Sequence, residues 1–177
     1  MSRAPSQAVF LVGGRGTRLG PLTAATPKPM LAVGGKPFLQ HLVEEAARHG
    51  FDEVLLLAGH LAAAFIGPYD GARILDARVR VIAEPDEAGT AGALVHAAAH
   101  LAPRFLMANG DSFFDVNLLA LSGGAPLARL ALRRVEDISR YGGVELDGDR
   151  VRRFAEKGGS GPGLINAGLY LLDREFR

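Results

Sequence analysis

Apolar residues recur along this chain with two periods, one suited to strands and one to helices. Gln7 to Val12 is a short apolar run that empties into Gly13-Gly14-Arg15-Gly16-Thr17-Arg18, the pattern of a buried strand followed by a glycine-rich loop. The loop runs on through Thr26-Pro27-Lys28-Pro29. From Pro37 to His49, the residues Phe38, Leu39, Leu42, Val43, Ala46 and Ala47 follow helical spacing, with Pro37 suited to the first turn and Gly50 to the stop. Glu53 to Ala58 reads as a second buried strand, His60 to Ile66 as a short helix, and Arg78 to Glu84 as an alternating strand. Gly89 to Leu101 is alanine-rich and helical, and Phe105 to Ala108 is a buried strand that delivers Asn109-Gly110-Asp111 at its carboxyl end. This rhythm predicts an α/β fold: a doubly wound, mostly parallel, Rossmann-like mixed sheet that collects ligands outside the carboxyl ends of its strands.

After Asn117 the texture changes. Pro126 to Arg134, Gly143 to Leu146, Val151 to Ala155 and Leu164 to Leu172 are short strand candidates, with Asp147-Gly148 as a hairpin signal. They are expected to add antiparallel or mixed strands within one domain, 1–177, in which no repeat or linker is visible.

The 20 Lys+Arg and 19 Asp+Glu leave a net charge of +1, so no single-sign field recruits nucleic acid or a charged membrane. Hydrophobic residues at 48% and charged residues at 22% exclude disorder as the dominant state. Cysteine is absent, which removes disulfides, thiolate metal sites and a cysteine nucleophile, and fits a reducing cytosol. The apolar stretches are shorter than the roughly 18 residues that span a bilayer, so the expectation is a cytoplasmic protein with no membrane partner; a homo-oligomer is compatible with the pattern.

The loop after the first strand carries the first chemical signal. Its glycines let backbone N–H groups converge on an anion without side-chain interference. The loop lacks the Walker spacing, and the dinucleotide pattern fails because Leu19 stands where a third glycine belongs. It offers instead Arg18 and then Lys28, aimed by the flanking Pro27 and Pro29, and two cations beside a glycine nest suit a polyphosphate. For Gly-Gly alone a solvated surface turn is the better reading; the whole string reverses that balance.

The string Leu11-Val12-Gly13-Gly14-Arg15-Gly16-Thr17-Arg18-Leu19, with Pro21-Leu22-Thr23 and Pro27-Lys28-Pro29-Met30, resembles the signature of sugar-1-phosphate nucleotidylyltransferases. The resemblance continues through Glu84-Pro85, Gly89-Thr90-Ala91-Gly92, Asn109-Gly110-Asp111, Tyr141-Gly142-Gly143, Phe154-Ala155-Glu156-Lys157 and Leu164-Ile165-Asn166-Ala167-Gly168. Gly110 to Asp115 and Glu156-Lys157 followed by Gly163 to Gly168 look most like the D-glycero-α-D-manno-heptose 1-phosphate guanylyltransferases. The resemblance implies a nucleotide-diphospho-sugar transferase fold. It also implies transfer of a nucleotidyl group from a nucleoside triphosphate, GTP by preference, to a heptose or hexose 1-phosphate, with release of pyrophosphate. Such an enzyme, of the EC 2.7.7 type, serves lipopolysaccharide or capsule precursor synthesis.

Residue by residue, the resemblance makes Arg18 a triphosphate and transition-state ligand, Lys28 a charge near the α-phosphate and sugar phosphate, and Asp111 a ligand for Mg²⁺. Leu11, Gly13, Gly14, Arg15, Gly16 and Thr17 are expected to cradle the nucleotide, and Glu84, Gly89 and Thr90 to line the base pocket. A carboxylate accepts two hydrogen bonds, which suits the adjacent donors of guanine; Asp86 takes this role if the loop register differs. Lys157 resembles the family lysine that grips the sugar phosphate, while Glu156, Asn109, Asn166 and Gly143 resemble groups that bind the sugar side. Complete members continue past the last strand and bring a second metal-binding Asp, whereas this chain stops at Arg177 and Asp173 does not look like that residue. A chain lacking its carboxyl-terminal segment is therefore expected, with a catalytically inactive nucleotide-sugar-binding module, or a fragment of a bifunctional enzyme, as the alternative.

Three other features carry blander readings. His96 and His100 lie four apart on a helix without a third ligand, so a partly exposed face is preferred over a metal pair. Arg133-Arg134 and Arg150-Arg152-Arg153 read as solvated strand faces rather than a nucleic-acid tract. Phe113-Phe114 reads as core.

Overall fold

The structure, a computed structural model, describes residues 5–85, 89–113, 115–122 and 127–176, without the side chains of Arg18, Leu119, Ser122 and Phe176. Its elements run β1 (Gln7–Leu11), β2 (Ala32–Val33), β3 (Lys36–Pro37), α1 (Phe38–Arg48), β4 (Glu53–Ala58), α2 (Ala63–Tyr69), β5 (Arg73–Ile74) and β6 (Ala77–Ala83). Then follow α3 (Gly89–His96), β7 (Arg104–Asn109), β8 (Ala128–Val135), β9 (Gly142–Asp147), β10 (Arg150–Lys157) and β11 (Gly163–Asp173). The chain divides into two compact units, 1–129 with 170–177, and 130–169.

In the first unit the strand order is β7-β1-β4-β6-β5, with the end of β11 beside β7. β1 pairs in parallel with β4 and with β7, and β4 in parallel with β6, while β5 runs antiparallel to β6. The parallel strands read β6-β4-β1-β7, the third, second, first and fourth in chain order, so the winding direction reverses between β1 and β7 and opens a crevice at their carboxyl ends. β1, β4 and β7 are near-continuous apolar runs because both of their faces are covered, while β6, nearer the edge, alternates. Val9, Leu55, Leu57, Phe105 and Met107 pack with Ala93 and Ala97 in one buried cluster. By alternation, Val54, Leu56 and Leu106 point the other way, and they too are buried.

Side-chain chemistry explains the local elements. Helix α1 buries Leu39, Leu42, Val43 and Ala46 along one stripe, starts after Pro37 and stops before Gly50, whose φ of 85° only glycine adopts without cost. Gln7, 1% exposed, opens β1 and satisfies its whole amide: it donates to Glu53 and to the His100 carbonyl, and accepts from the Ala102 N–H. The helix expected at His60 to Ile66 begins later, at Ala63, because Leu61 takes a left-handed φ of 57° that a right-handed helix does not admit. The hairpin of β2 and β3 and the strand β5, two residues each, are additions to the expected elements. Phe113 is 51% exposed rather than core: it follows the turn that ends β7, where strand alternation no longer directs it inward. Phe114 lies outside the described residues.

In the second unit β9 and β10 form an antiparallel hairpin, and Ile165 of β11 pairs with Gly143 of β9. The hairpin turn is Gly148-Asp149, one residue beyond the expected dipeptide, since Asp147 pairs with Arg150 and Gly148 supplies a φ of 57°. Arg133, Arg134, Arg150, Arg152 and Arg153 are all exposed. Among the described residues no helix is long and apolar enough to cross a membrane.

Candidate active site

A cleft of about 550 Å³ lies in the first unit, where the winding reversal places the loops after β1 and β7. The two strand ends meet closely there. Gly110 N–H donates to the Leu11 carbonyl at 2.9 Å, and a Cβ at Gly110 would stand 2.8 Å from that same oxygen and 2.6 Å from Val12 Cγ1. Glycine is thus required for Asp111 to be delivered against the first loop.

The loop itself is tied down rather than free. Thr23, 4% exposed, donates its hydroxyl to the carbonyls of Gly16 and Gly20 at 3.1 and 3.2 Å. Gly16 has a φ of 62°, and a Cβ there would come within 3.2 Å of Lys28 Cβ, so the loop and the Pro27-Lys28-Pro29 segment pack closely. Lys28 Nζ reaches Asp111 Oδ2 at 2.8 Å across 83 residues of sequence, and Ser112 donates to Asp111 Oδ1 at 3.1 Å. Burial would raise the carboxyl pKa of Asp111, but the Lys28 ammonium and the Ser112 hydroxyl outweigh it and hold the group below its ordinary value. Lys28 and Asp111 therefore share one ion pair, partly open to solvent, on the wall of the cleft.

At its other end the cleft meets Glu84, which follows β6 and whose N–H donates to the Ala58 carbonyl at 2.9 Å. The Glu84 carboxylate lies against backbone: a Cβ at Gly13 would stand 2.8 Å from Oε1, and one at Gly59 3.4 Å. Its Oε2 is buried with no hydrogen-bond partner among the described residues. Burial pushes the Glu84 pKa up, and the nearby His96 pulls it partly back. A buried carboxylate oxygen with nothing to accept from is costly unless a ligand supplies the donor.

Of the residues singled out in the sequence, Leu11, Gly13, Gly14, Arg15, Gly16, Lys28, Glu84, Gly89, Thr90, Asn109 and Asp111 all line this cleft. Thr17 is exposed and does not, and the side chains of Arg18 and the whole of Asp86 lie outside the described residues. Gly143, Glu156, Lys157 and Asn166 belong to the second unit, where pairing of Gly143 with Ile165 and of Gly142 with Lys157 sets them on three neighbouring strands. There Asn166 Oδ1 accepts from the Gly168 N–H at 2.8 Å. Gly59 and His60 also line the cleft and carry no sequence signal beyond following a buried parallel strand. Position at a carboxyl strand end is the clue that finds them.

A divalent cation at Asp111 can be weighed by the donors present. Among the described residues no group of three or more His, Cys, Asp and Glu converges. One carboxylate does not make a protein cage, but it fits Mg²⁺, which keeps waters and is held by one or two carboxylates plus substrate phosphates.

The nucleotidyl transferase family model matches residues 7–176. A D-glycero-α-D-manno-heptose 1-phosphate guanylyltransferase of Campylobacter jejuni is 35% identical over 96% of this chain and 77% of its own length. A mannose-1-phosphate guanylyltransferase of Mycobacterium tuberculosis is 38% identical over 94% of the chain and 48% of its own length. The crystal structure of HddC from Yersinia pseudotuberculosis complexed with GMP-PN superposes with a TM-score of 0.83 at 32% identity, covering 96% of this chain and 77% of that one. With the signature string, the winding reversal and these matches in agreement, the chain belongs to the nucleotidyl transferase family.

Proposed function

We propose that this protein transfers a guanylyl group from GTP to a sugar 1-phosphate, a heptose or hexose phosphate that serves surface polysaccharide synthesis, and releases pyrophosphate. The observation that carries this reading is the Lys28–Asp111 pair at 2.8 Å beside a glycine loop at the winding reversal. In the transfer, an oxygen of the sugar phosphate attacks the α-phosphorus of GTP; a new P–O bond forms as the bond to the β-phosphate bridging oxygen breaks. Both reactants are anions, so the chain contributes mainly by holding them in line and neutralising charge. The amides of Gly13, Gly14 and Gly16 cradle the triphosphate, and Lys28, once its ammonium leaves Asp111, meets the α-phosphate and the incoming sugar phosphate. Arg18 adds planar donors to the same phosphates. Asp111 and Asn109 stand at the end of β7, with Asp111 the residue to hold Mg²⁺, which when bound supplies charge neutralisation at the phosphate oxygens.

Guanine is supported by the buried, unpartnered oxygen of Glu84, since a carboxylate accepts from both N1–H and the exocyclic amine of that base. The names of the guanylyltransferase relatives point the same way. For the sugar side, Lys157, Glu156, Asn166 and Gly143 are assigned on the family resemblance. A reaction that consumes GTP is compatible with the cytoplasm.

The test is pyrophosphate release measured over four nucleoside triphosphates and a panel of sugar 1-phosphates, with Asp111→Asn alongside. GTP with a heptose or mannose 1-phosphate is expected to be the productive pair, and the variant to lose about 10²–10³-fold in rate. Release with UTP but not GTP, or an unaffected variant, refutes the proposal. Binding of a GDP-sugar without any turnover favours the nucleotide-sugar-binding alternative.

A further inference from the structure

We infer that His96 is a positioning residue for the base end of the cleft, an assignment that rests on the proposed nucleotide chemistry. His96 closes α3, and its Nε2 bonds the carbonyl of Ala83, the last residue of β6, at 3.1 Å across 13 residues. Glu84, Gly89, Thr90 and Ala93 all line the cleft, and all lie inside the segment that this one hydrogen bond closes. The geometry of the sheet explains why the carbonyl is free to accept. Backbone groups of successive strand residues turn to opposite edges, so the Glu84 N–H faces β4 and bonds Ala58 while the Ala83 carbonyl faces the outer edge. Strand β5 pairs only with Ala77 and Arg78 and does not reach it. Side chains finish that edge instead: Asp70 Oδ1 accepts from the Val81 N–H at 3.0 Å, and two residues on His96 donates to Ala83.

The bond sets one distance that the apolar packing of α3 does not. Ala93 and Ala97 anchor the helix in the core, so loss of the imidazole leaves α3 in place. Leu94 of α3 and Ile82 of β6 pack on the same cluster, but apolar contacts permit sliding and rotation, and the His96 bond is the directional tie between the helix end and the strand end that carries Glu84. Through it the Glu84 carboxylate and the first turn of α3, both lining the cleft, are held at a fixed spacing from one another. A carbonyl only accepts, so in this bond Nε2 carries the hydrogen.

The experiment compares His96→Phe, which keeps a ring and removes the donor, with His96→Gln, whose amide donates to the same carbonyl. Thermal unfolding, amide hydrogen exchange over 84–95, and steady-state kinetics are read for the nucleoside triphosphate that the wild type uses best. His96→Phe is expected to raise the nucleotide KM about threefold to tenfold with kcat held within about twofold, to unfold at nearly the wild-type temperature, and to exchange faster over 84–95. His96→Gln is expected to recover most of the loss. An unchanged KM, a fall confined to kcat, or a Gln variant as impaired as the Phe variant overturns the inference. Preference of the wild type for another base refutes the guanine reading while the KM comparison still judges His96; a wild type that binds no nucleotide removes both.

Discussion

Replacing Gly13 by alanine is expected to damage fold and site together, whereas the same change at Gly14 reaches the site alone. A Cβ at Gly13 would stand 2.6 Å from the Gly59 amide nitrogen, 3.1 Å from Gly59 Cα and 2.8 Å from Glu84 Oε1. Ordinary contact begins at 3.4 Å, so the backbone shortfall is 3.4 − 2.6 = 0.8 Å. The obstacle is main chain, held on both sides: Val12 N–H bonds the Leu57 carbonyl at 2.9 Å and His60 N–H the Gly13 carbonyl at 3.3 Å. It cannot swing aside as a side chain end can, and overpacking of this kind costs about 1–3 kcal/mol. For a chain of this size that lowers Tm by about 2–4 °C per kcal/mol. The displaced Glu84 carboxylate also weakens nucleotide binding, by about tenfold for each 1.4 kcal/mol of lost contact. Gly14 has no heavy atom within 4 Å of the equivalent position. Its alanine variant is expected to keep stability within about 0.5 kcal/mol and to lose affinity only because the methyl group stands where the triphosphate lies. Thermal unfolding and calorimetry with a non-hydrolysable GTP analogue read both quantities. A Gly13→Ala variant that melts and binds like the wild type, or a Gly14→Ala variant as unstable as Gly13→Ala, refutes the steric reasoning.

Two further perturbations concern the scaffold. Gln7→Ala removes the part-buried bonds to the Ala102 N–H and the His100 carbonyl, and is expected to cost about 1–3 kcal/mol in chemical denaturation; a loss below about 0.5 kcal/mol shows that neither group depended on it. Hydrogen bonds from Lys36 and Gln40 hold Glu44 of α1 below its ordinary carboxyl value of 4.5. The folded state then takes up the proton less readily than the unfolded state, so this stabilisation is present above pH 4.5 and is lost as pH falls through the lowered folded value. The stability gap between wild type and Glu44→Gln is expected to narrow through that acid range, and a gap independent of pH there contradicts it.

The main elements of the first unit were readable because their signals are local. Val54–Ala58 is an uninterrupted apolar run, and the 3.6-residue stripe from Leu39 to Ala46 specifies α1 whatever it packs against. The glycine string and Lys28 were likewise singled out by their sequence, and they line the cleft. What failed or stayed hidden has non-local causes. Leu61 takes its left-handed conformation from the turn after β4, which delays α2, and β5 is two residues that exist only through pairing with β6. Phe113 looks like core by composition yet lies beyond the end of β7, where nothing directs it inward.

Residue types and their spacing settled that this chain builds a parallel sheet with a glycine-rich loop after its first strand, since periodicity and glycine placement act over a few residues. Only the tertiary structure decided that Lys28 meets Asp111, that Gly59 and His60 enter the cleft, and that His96 braces the strand bearing Glu84. Those contacts follow from the order in which strands lie side by side. That order reverses between β1 and β7, which brings together residues 83 positions apart. Sheet order is selected by the packing of the whole core, and no local stretch of sequence contains it.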